Sequence, residues 1–300
     1  MPTIAIVDGS NLIFRAFFAV KLLTTSTGVP TNAVYGGLKS FKAMINLLKP
    51  CYVLVCWDSG KKSFRNTLDP LYKAHRPPVS NDLKVQFGLL QEAFKLLGVP
   101  QMVAPDGMEC DDIIGTIVTQ AAEIGMNSVI VSSDRDFYQL CNQFIKVWSF
   151  SVAKKEGNGY VDADYIRREY GVEPDQLIHV KSMTGEKSDN ITGVRGIGPK
   201  TATSLIQKYG TIHHVLEHLQ DHPEDKYYTI YENRPIVNLA LDLARIRTDV
   251  ALTEVPINPV DTIDSDGNNL RAFFKRLEMN SFLDEFQAWK YLFGYKTTVS

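Results

Sequence analysis

Three apolar runs constrain this chain more than anything else in it: TIAIVD at 3–8, CYVLVCWD at 51–58 and SVIVSSD at 128–134. Each is short, continuous and rich in β-branched residues, the pattern of a strand buried on both faces. Helical periods separate them, at Ala33–Leu48, Leu83–Leu97 and Asp111–Glu123. Strands alternating with helices predict an α/β fold with a twisted, mainly parallel sheet flanked by helices. Each run also delivers an Asp at or just past its C-terminal end, namely Asp8, Asp58 and Asp134. Ligands of open parallel sheets bind at that edge, so the three acids should meet in one crevice.

Beyond about residue 160 the texture becomes helical. Asp162–Tyr170, Pro174–Met183, Pro199–Tyr209, Ile212–Leu219 and Asn233–Ile246 read as helices, several opened by a capping residue or a first-turn proline. The predicted organisation is an α/β catalytic domain over 1–180 and a helical module over 181–300. LRAFFKRLEMNSFLDEF closes that module as a further helical segment. With 44% hydrophobic residues among 300, the chain can bury one large core plus a smaller helical one. It has no run approaching the ~20 apolar residues of a membrane span. The N-terminus does not read as a signal peptide. Cys51, Cys56, Cys110 and Cys141 form no CxxC or zinc-finger spacing. They read as reduced, buried thiols, and the expected location is the cytosol.

Acidic residues gather in knots: Glu109, Asp111 and Asp112; Asp134 and Asp136; Glu186 and Asp189. Glu109 and Asp112, three apart, share a helix face, with Asp111 on its flank. With Asp8 and Asp58, these nine carboxylates cannot all ionise in one crevice without counter-charge, because like charges raise each other's pKa values. Divalent cations supply it. All-oxygen donors favour two Mg²⁺ or Mn²⁺ ions over Zn²⁺, and such a pair can drive displacement at a phosphodiester. Any one acid alone reads equally well as a solvated surface group or a helix cap. Three strands ending in Asp do not.

The net charge of −2 hides an uneven distribution. Lys61, Lys62, Arg65, Lys73, Arg76 and Lys84 face only Asp69 and Asp82 across residues 61–84. FRNTLDPLYKAHRPP is basic, carries Tyr72, and is broken by Pro70, Pro77 and Pro78, so it should be mobile and partly exposed. Further on, GVRGIGPKTA places Gly193, Gly196 and Gly198 ahead of a helix, where backbone N–H groups and Lys200 can meet a phosphate.

VDGSNLIFRAFFA, TNAVYGG, WDSGKKSFRNTLDPLYKAHRPP, MECDD, SSDRDFYQL, TGEKSDNITGVRGIGPKTA and LARIRTD are similar, in order, to motifs of the flap endonuclease superfamily. The resemblance spans roughly residues 3–250. It is nearest to the amino-terminal 5′-nuclease domain of bacterial family A DNA polymerases and to phage 5′-exonucleases. It implies a PIN-like 5′-nuclease core, a helical arch over about 64–98 and a helix–two-turn–helix module. It also implies a structure-specific 5′-3′ exonuclease and flap endonuclease cutting DNA near single-strand/duplex junctions by a two-metal mechanism, in replication and repair.

On the same resemblance, Asp8, Asp58, Glu109 and Asp111 match ligands of the first metal, and Asp112, Asp134, Asp136 and Asp189 match residues of the second. Glu186 stands where the polymerase pattern has Asp, one methylene shorter. Lys73 and Arg76 match arch cations that stabilise the scissile phosphate. Tyr72 would stack a base, Arg65 belongs to the same DNA-contacting stretch, and the glycine hairpin would hold K⁺ beside duplex DNA. The implied partners are branched or 5′-ended DNA and a DNA polymerase in cis or trans, with the nuclease a monomer. A PIN-type ribonuclease shares the strand-end acids but lacks the basic arch and the glycine hairpin. A haloacid-dehalogenase-type phosphatase needs Asp where Ser10 stands. A branched-DNA binder with weak catalysis is the remaining alternative, and a cleavage assay with Mg²⁺ or chelator separates it.

Overall fold

The computed structural model describes residues 2–294. Its sheet has six strands in the order β3-β2-β1-β4-β5-β6, with every pairing parallel except β5 with β6. The chain runs β1 (Thr3–Asp8), α1 (Gly9–Ala19), α2 (Asn32–Leu48), β2 (Tyr52–Trp57), α3 (Phe64–Leu68), α4 (Asn81–Leu96), β3 (Gln101–Val103) and α5 (Cys110–Glu123). It continues through β4 (Asn127–Val131), β5 (Ile145–Trp148), α6 (Phe150–Glu156), β6 (Tyr160–Val161) and α7 (Ala163–Tyr170). The three apolar runs are β1, β2 and β4, side by side at the centre. From β1 the order grows to one side through β2 and β3, then switches to the other with β4. That reversal opens the crevice outside the carboxyl ends of β1 and β4.

Two apolar layers cover the sheet. Ala5, Val7, Val53, Val55 and Trp57 pack beneath α1, α2 and α4, while Ile4, Ile6, Leu54 and Ile130 pack beneath α5. The remaining helices are α8 (Leu177–Thr184), α9 (Pro199–Tyr209), α10 (Ile212–Asp221), α11 (Thr229–Glu232), α12 (Arg234–Ala244), α13 (Gly267–Arg276), α14 (Asn280–Asp284) and α15 (Phe286–Lys290).

The expected division into 1–180 and 181–300 needs correction. The helical module has its own core, built from Val172 and Met183 through Ile206 and Val215 to Leu241. Ile246 and Val250 then return to the α5 side of the sheet. Phe273, Phe274, Phe282, Phe286 and Trp289 join the core of the other face, where Tyr35 stacks on Phe282 with ring centroids 4.7 Å apart. Lys42–Glu285 at 2.7 Å and Arg276–Glu92 at 2.6 Å fasten the same segment. The apolar stripe of α13–α15 thus finds its partner on the first domain, and residues 295–300 of the expected module lie outside the described residues. All four cysteines are free thiols, three of them buried. No helix among the described residues is long and apolar enough to cross a membrane.

Candidate active site and nucleic-acid interface

The crevice at the switch point has a volume of about 260 Å³ and is lined by Asp8, Ser10, Asn11, Phe14, Asp58, Lys73, Arg76, Glu109, Asp111 and Asp134. Backbone geometry aims each acid. Asp8 ends β1 and caps α1, accepting the Asn11 N–H at 2.8 Å on one oxygen and the Ser132 hydroxyl at 2.9 Å on the other. Ser132 Oγ in turn accepts the Asp134 N–H at 3.0 Å, so one serine ties the ends of β1 and β4 together. Asp58, just past β2, accepts the Cys110 N–H at 2.9 Å and thereby anchors the start of α5. Glu109 caps that helix and Asp111 sits in its first turn, where acids complement the helix dipole.

Crowding of these acids shows in their protonation. Burial pushes the Asp8 carboxyl up to about 7, with the charges of Asp58 and Asp134 adding to the rise and the Asn11 and Ser132 hydrogen bonds opposing it. Burial, then Asp134 and Asp8, raise Asp111 well above the ordinary carboxylate range. Glu109 goes the other way: burial works against its charge, but Lys73 and Arg65 outweigh that and hold it low. Lys73 Nζ lies 2.9 Å from Glu109 Oε2, and the Ser63 hydroxyl donates to the other oxygen at 2.7 Å.

A second acidic stretch adjoins the crevice and is bridged by the chain's own cations. Lys181 Nζ is 2.6 Å from Asp136 and 3.8 Å from Glu186, and Arg76 is 2.6 Å from the buried carboxylate of Asp189. Glu186 accepts from the Ser188 hydroxyl at 2.7 Å. Among the described residues no three His, Cys, Asp or Glu side chains are placed so that they could hold a metal ion without moving. Lys181 was not singled out from the sequence. The available signal was its position as the one Lys, Arg, Asp or Glu on α8.

Three sequence expectations fail on contact geometry. Asp112 does not face the crevice. It is completely buried, and Arg65 grips both its oxygens at 2.8 Å. Arg65 is itself 2% exposed, so it is no DNA-contacting surface residue. Tyr72 is buried against Ile191, Ala240, Leu243 and Ala244, with its hydroxyl 3.3 Å from Glu109, and offers no face to a base. The expected arch is also less helical than its span implied: five residues in α3, turns to Arg76, an extended stretch, then α4. Residues 71–76 lie on the loop after α8. The Lys73 N–H donates to Asp189 O at 2.9 Å, and the Asn190 amide donates to Leu71 O at 2.8 Å. Lys73 adopts a left-handed backbone, φ 55°, to make that turn.

The hairpin glycines serve different ends. Gly196 and Gly198 are exposed beside Lys200 at the open N-terminus of α9, and Gly196 has φ +86°. Gly193 instead lies against the Thr184–Gly185 backbone, where an added Cβ would come within 2.3 Å of the Thr184 carbonyl carbon. Close backbone packing alone therefore demands glycine at this position.

A switch-point crevice walled by strand-end acids, rimmed by Lys73 and Arg76 and followed by a glycine hairpin in a helical module defines a nuclease of the 5′-nuclease fold. The comparisons agree along the chain. The 5′-3′ exonuclease N-terminal resolvase-like domain matches residues 3–171, and the 5′-3′ exonuclease C-terminal SAM fold matches residues 172–264. The chain belongs to the 5′-3′ exonuclease family. It is 32% identical to the 5′-3′ exonuclease of Aquifex aeolicus (strain VF5), over 95% of either chain. It is 36% identical to the thermostable DNA polymerase I of Thermus thermophilus over 94% of its own length, and it spans about a third (33%) of that relative. The bacteriophage T5 flap endonuclease, solved as a pseudo-enzyme-product complex with DNA and metal ions, shares the fold: TM-score 0.66 and 21% identity, covering 98% of this chain and 100% of that one.

Proposed function

We propose that this 5′-3′ exonuclease hydrolyses DNA phosphodiesters at 5′ ends and flaps near single-strand/duplex junctions, using two divalent cations, Mg²⁺ or Mn²⁺. The observation that carries the reading is the convergence of Asp8, Asp58, Asp111 and Asp134 on one crevice with Lys73 and Arg76 at its rim. The donor set fits the ions in its chemistry: it is all oxygen, and five carboxylates, Asp8, Asp58, Glu109, Asp111 and Asp134, line one crevice. Asp8, Asp58, Glu109 and Asp111 would hold one ion, with Asp134, Asp136, Asp189 and Glu186 at the other. Bound there, the ions would neutralise the acids and activate water for attack on the phosphodiester.

The chain's own residues do the rest. Lys73 exchanges Glu109 for an oxygen of the scissile phosphate, and Arg76 exchanges Asp189, so that negative charge developing on the phosphate oxygens meets two cations. Ser132, Asn11 and Ser10 hold the strand ends in register and keep the acids aimed. Gly196, Gly198 and Lys200 present N–H groups and one cation to a duplex phosphate, with K⁺ at the same turn. The enzyme would work as a monomer in the cytosol of a bacterial or phage-infected cell, beside a DNA polymerase in cis or trans. Incubating the purified chain with a 5′-flap, a nicked duplex and a hairpin RNA, with Mg²⁺ or with EDTA, tests this. Cutting confined to the DNA substrates and to Mg²⁺ is expected, and brisk cleavage in excess EDTA would end the two-metal reading.

A further inference from the structure

We propose that Arg65 and Asp112 form a positioning pair that locks the root of the arch to the helix bearing Glu109 and Asp111, and that Asp112 holds no metal ion. The proposal rests on the nuclease reading above. Its basis is that the pair is closed on all sides. Asp112 takes two N–H bonds from Arg65 at 2.8 Å, one from the Glu109 backbone at 3.1 Å and one from the Arg247 backbone at 3.0 Å. A carboxylate has about four lone-pair sites, and all four are used. Ligating an ion would require giving one up inside a dry interior. Arg65 is equally committed: Nε donates to Leu243 O at 2.9 Å and a terminal nitrogen to Arg245 O at 2.6 Å.

One guanidinium therefore joins three parts of the fold. It rises from α3, grips the first turn of α5 and holds the segment that leaves α12. What it sets is the attitude of Glu109. The Glu109 N–H rests on Asp112 and its carboxylate lies 3.6 Å from Arg65 Nη1, the nitrogen that also donates to Asp112, while that same carboxylate receives Lys73. Arg65 stands eight residues before Lys73 on the chain, so the pair controls both ends of the Lys73–Glu109 contact. Buried ion pairs are weak sources of stability but strong sources of unique geometry in some folds, and breaking one by removing a single partner leaves an uncompensated charge.

A double-mutant cycle in the full chain tests this, using Asp112→Asn, Arg65→Met and the double variant, with folding followed by far-UV circular dichroism. Two readouts are taken: single-turnover flap cutting at saturating Mg²⁺, and Mn²⁺ affinity without DNA by electron paramagnetic resonance. Each single variant should cut about 100-fold more slowly, the scale of a small misplacement near the reacting atoms. The double variant, with no unpaired charge, should be no slower than either. Mn²⁺ affinity should fall to the same extent in all three, because each frees the ligand Glu109 by the same route, on the scale of a lost outer partner, about 10–100-fold, with a larger loss in Asp8→Asn. Losses that multiply, or a Mn²⁺ affinity at least about tenfold lower in Asp112→Asn than in Arg65→Met, would overturn the proposal. If Arg65→Met fails to fold, Arg65→Gln, which is also uncharged, replaces it in the cycle with the same criteria. Should the wild-type chain cut nothing, the nuclease reading fails separately. The pair is then judged by hydrogen exchange, where Arg65→Met must speed the Glu109 and Arg247 amides and unchanged rates refute the lock.

Discussion

Substituting the three hairpin glycines with alanine probes the structure at one motif with three different magnitudes. At Gly193 a Cβ would sit 2.3 Å from the Thr184 carbonyl carbon, 2.4 Å from its oxygen and 2.6 Å from the Gly185 nitrogen. All three are backbone atoms, so no side chain can swing aside. Overpacking ordinarily costs about 1–3 kcal/mol, and a clash against backbone belongs at or above the top of that range. At Gly196 nothing lies within 4 Å, but φ is +86°; the cost is the left-handed backbone alone, roughly 1–2 kcal/mol. Gly198 has open space and φ −93°. Alanine there meets neither a clash nor a strained backbone, and costs only the poorer N-cap of α9, about 0.5 kcal/mol.

The assay has to look in the right place. Trp57, Trp148 and Trp289 all lie in the core of the first domain, so tryptophan fluorescence would not see the helical module. Urea unfolding followed at 222 nm, with hydrogen exchange of the α8 and α9 amides, reports on it directly. The expected order of loss is Gly193→Ala, then Gly196→Ala, then Gly198→Ala. Gly198→Ala should nonetheless weaken duplex binding, since its Cβ would stand where a phosphate approaches. A Gly193→Ala variant within 0.5 kcal/mol of wild type, the spread of an ordinary surface change, would refute the packing argument.

Three further predictions follow from the same geometry. Lys73→Ala should lower single-turnover cutting strongly with little loss of duplex affinity, whereas Lys200→Ala should weaken binding and reduce its salt slope by about one; equal affinity losses with unchanged bound-state rates would contradict that division. Asp134→Ala and Asp189→Ala should stay nearly inactive at any Mg²⁺ concentration, while Glu186→Ala, whose carboxylate is partly occupied by Ser188, should regain much of its rate as metal rises; a metal titration reads the difference. Without metal, the raised Asp8 carboxyl contributes stability that is present below about pH 4 and lost as the pH rises through about 7. Thermal melts in EDTA should therefore fall from pH 5.5 to 8.5 in wild type and fall less in Asp8→Asn; parallel curves would count against the crowded-acid account.

The legible parts of this fold were those whose partners are near neighbours or like themselves. β1, β2 and β4 announced themselves because strands buried on both faces carry unbroken β-branched runs, and their terminal acids came with them. β3, β5 and β6, with three, four and two residues, carry no such run. α13–α15 were legible as helices from their apolar period, but the period does not name the surface it will cover, and that surface proved to be α2 and α4.

The site shows the same limit in sharper form. The spacing of Glu109 and Asp112 correctly placed both at one helix start, yet Glu109 lines the crevice and Asp112 is sealed inside. What separates them is Arg65, 47 residues earlier in the chain. Tyr72 reads as a stacking ring because its sequence neighbours are basic. It is buried because Leu243 and Ala244 come back to cover it. A carboxylate or an aromatic ring in a sequence states what chemistry is on offer, and only the long-range contact decides whether that chemistry faces substrate or is spent holding the fold. In this chain one guanidinium makes that decision for two acids: it removes Asp112 from the crevice and, through the same contact, holds Glu109 in it.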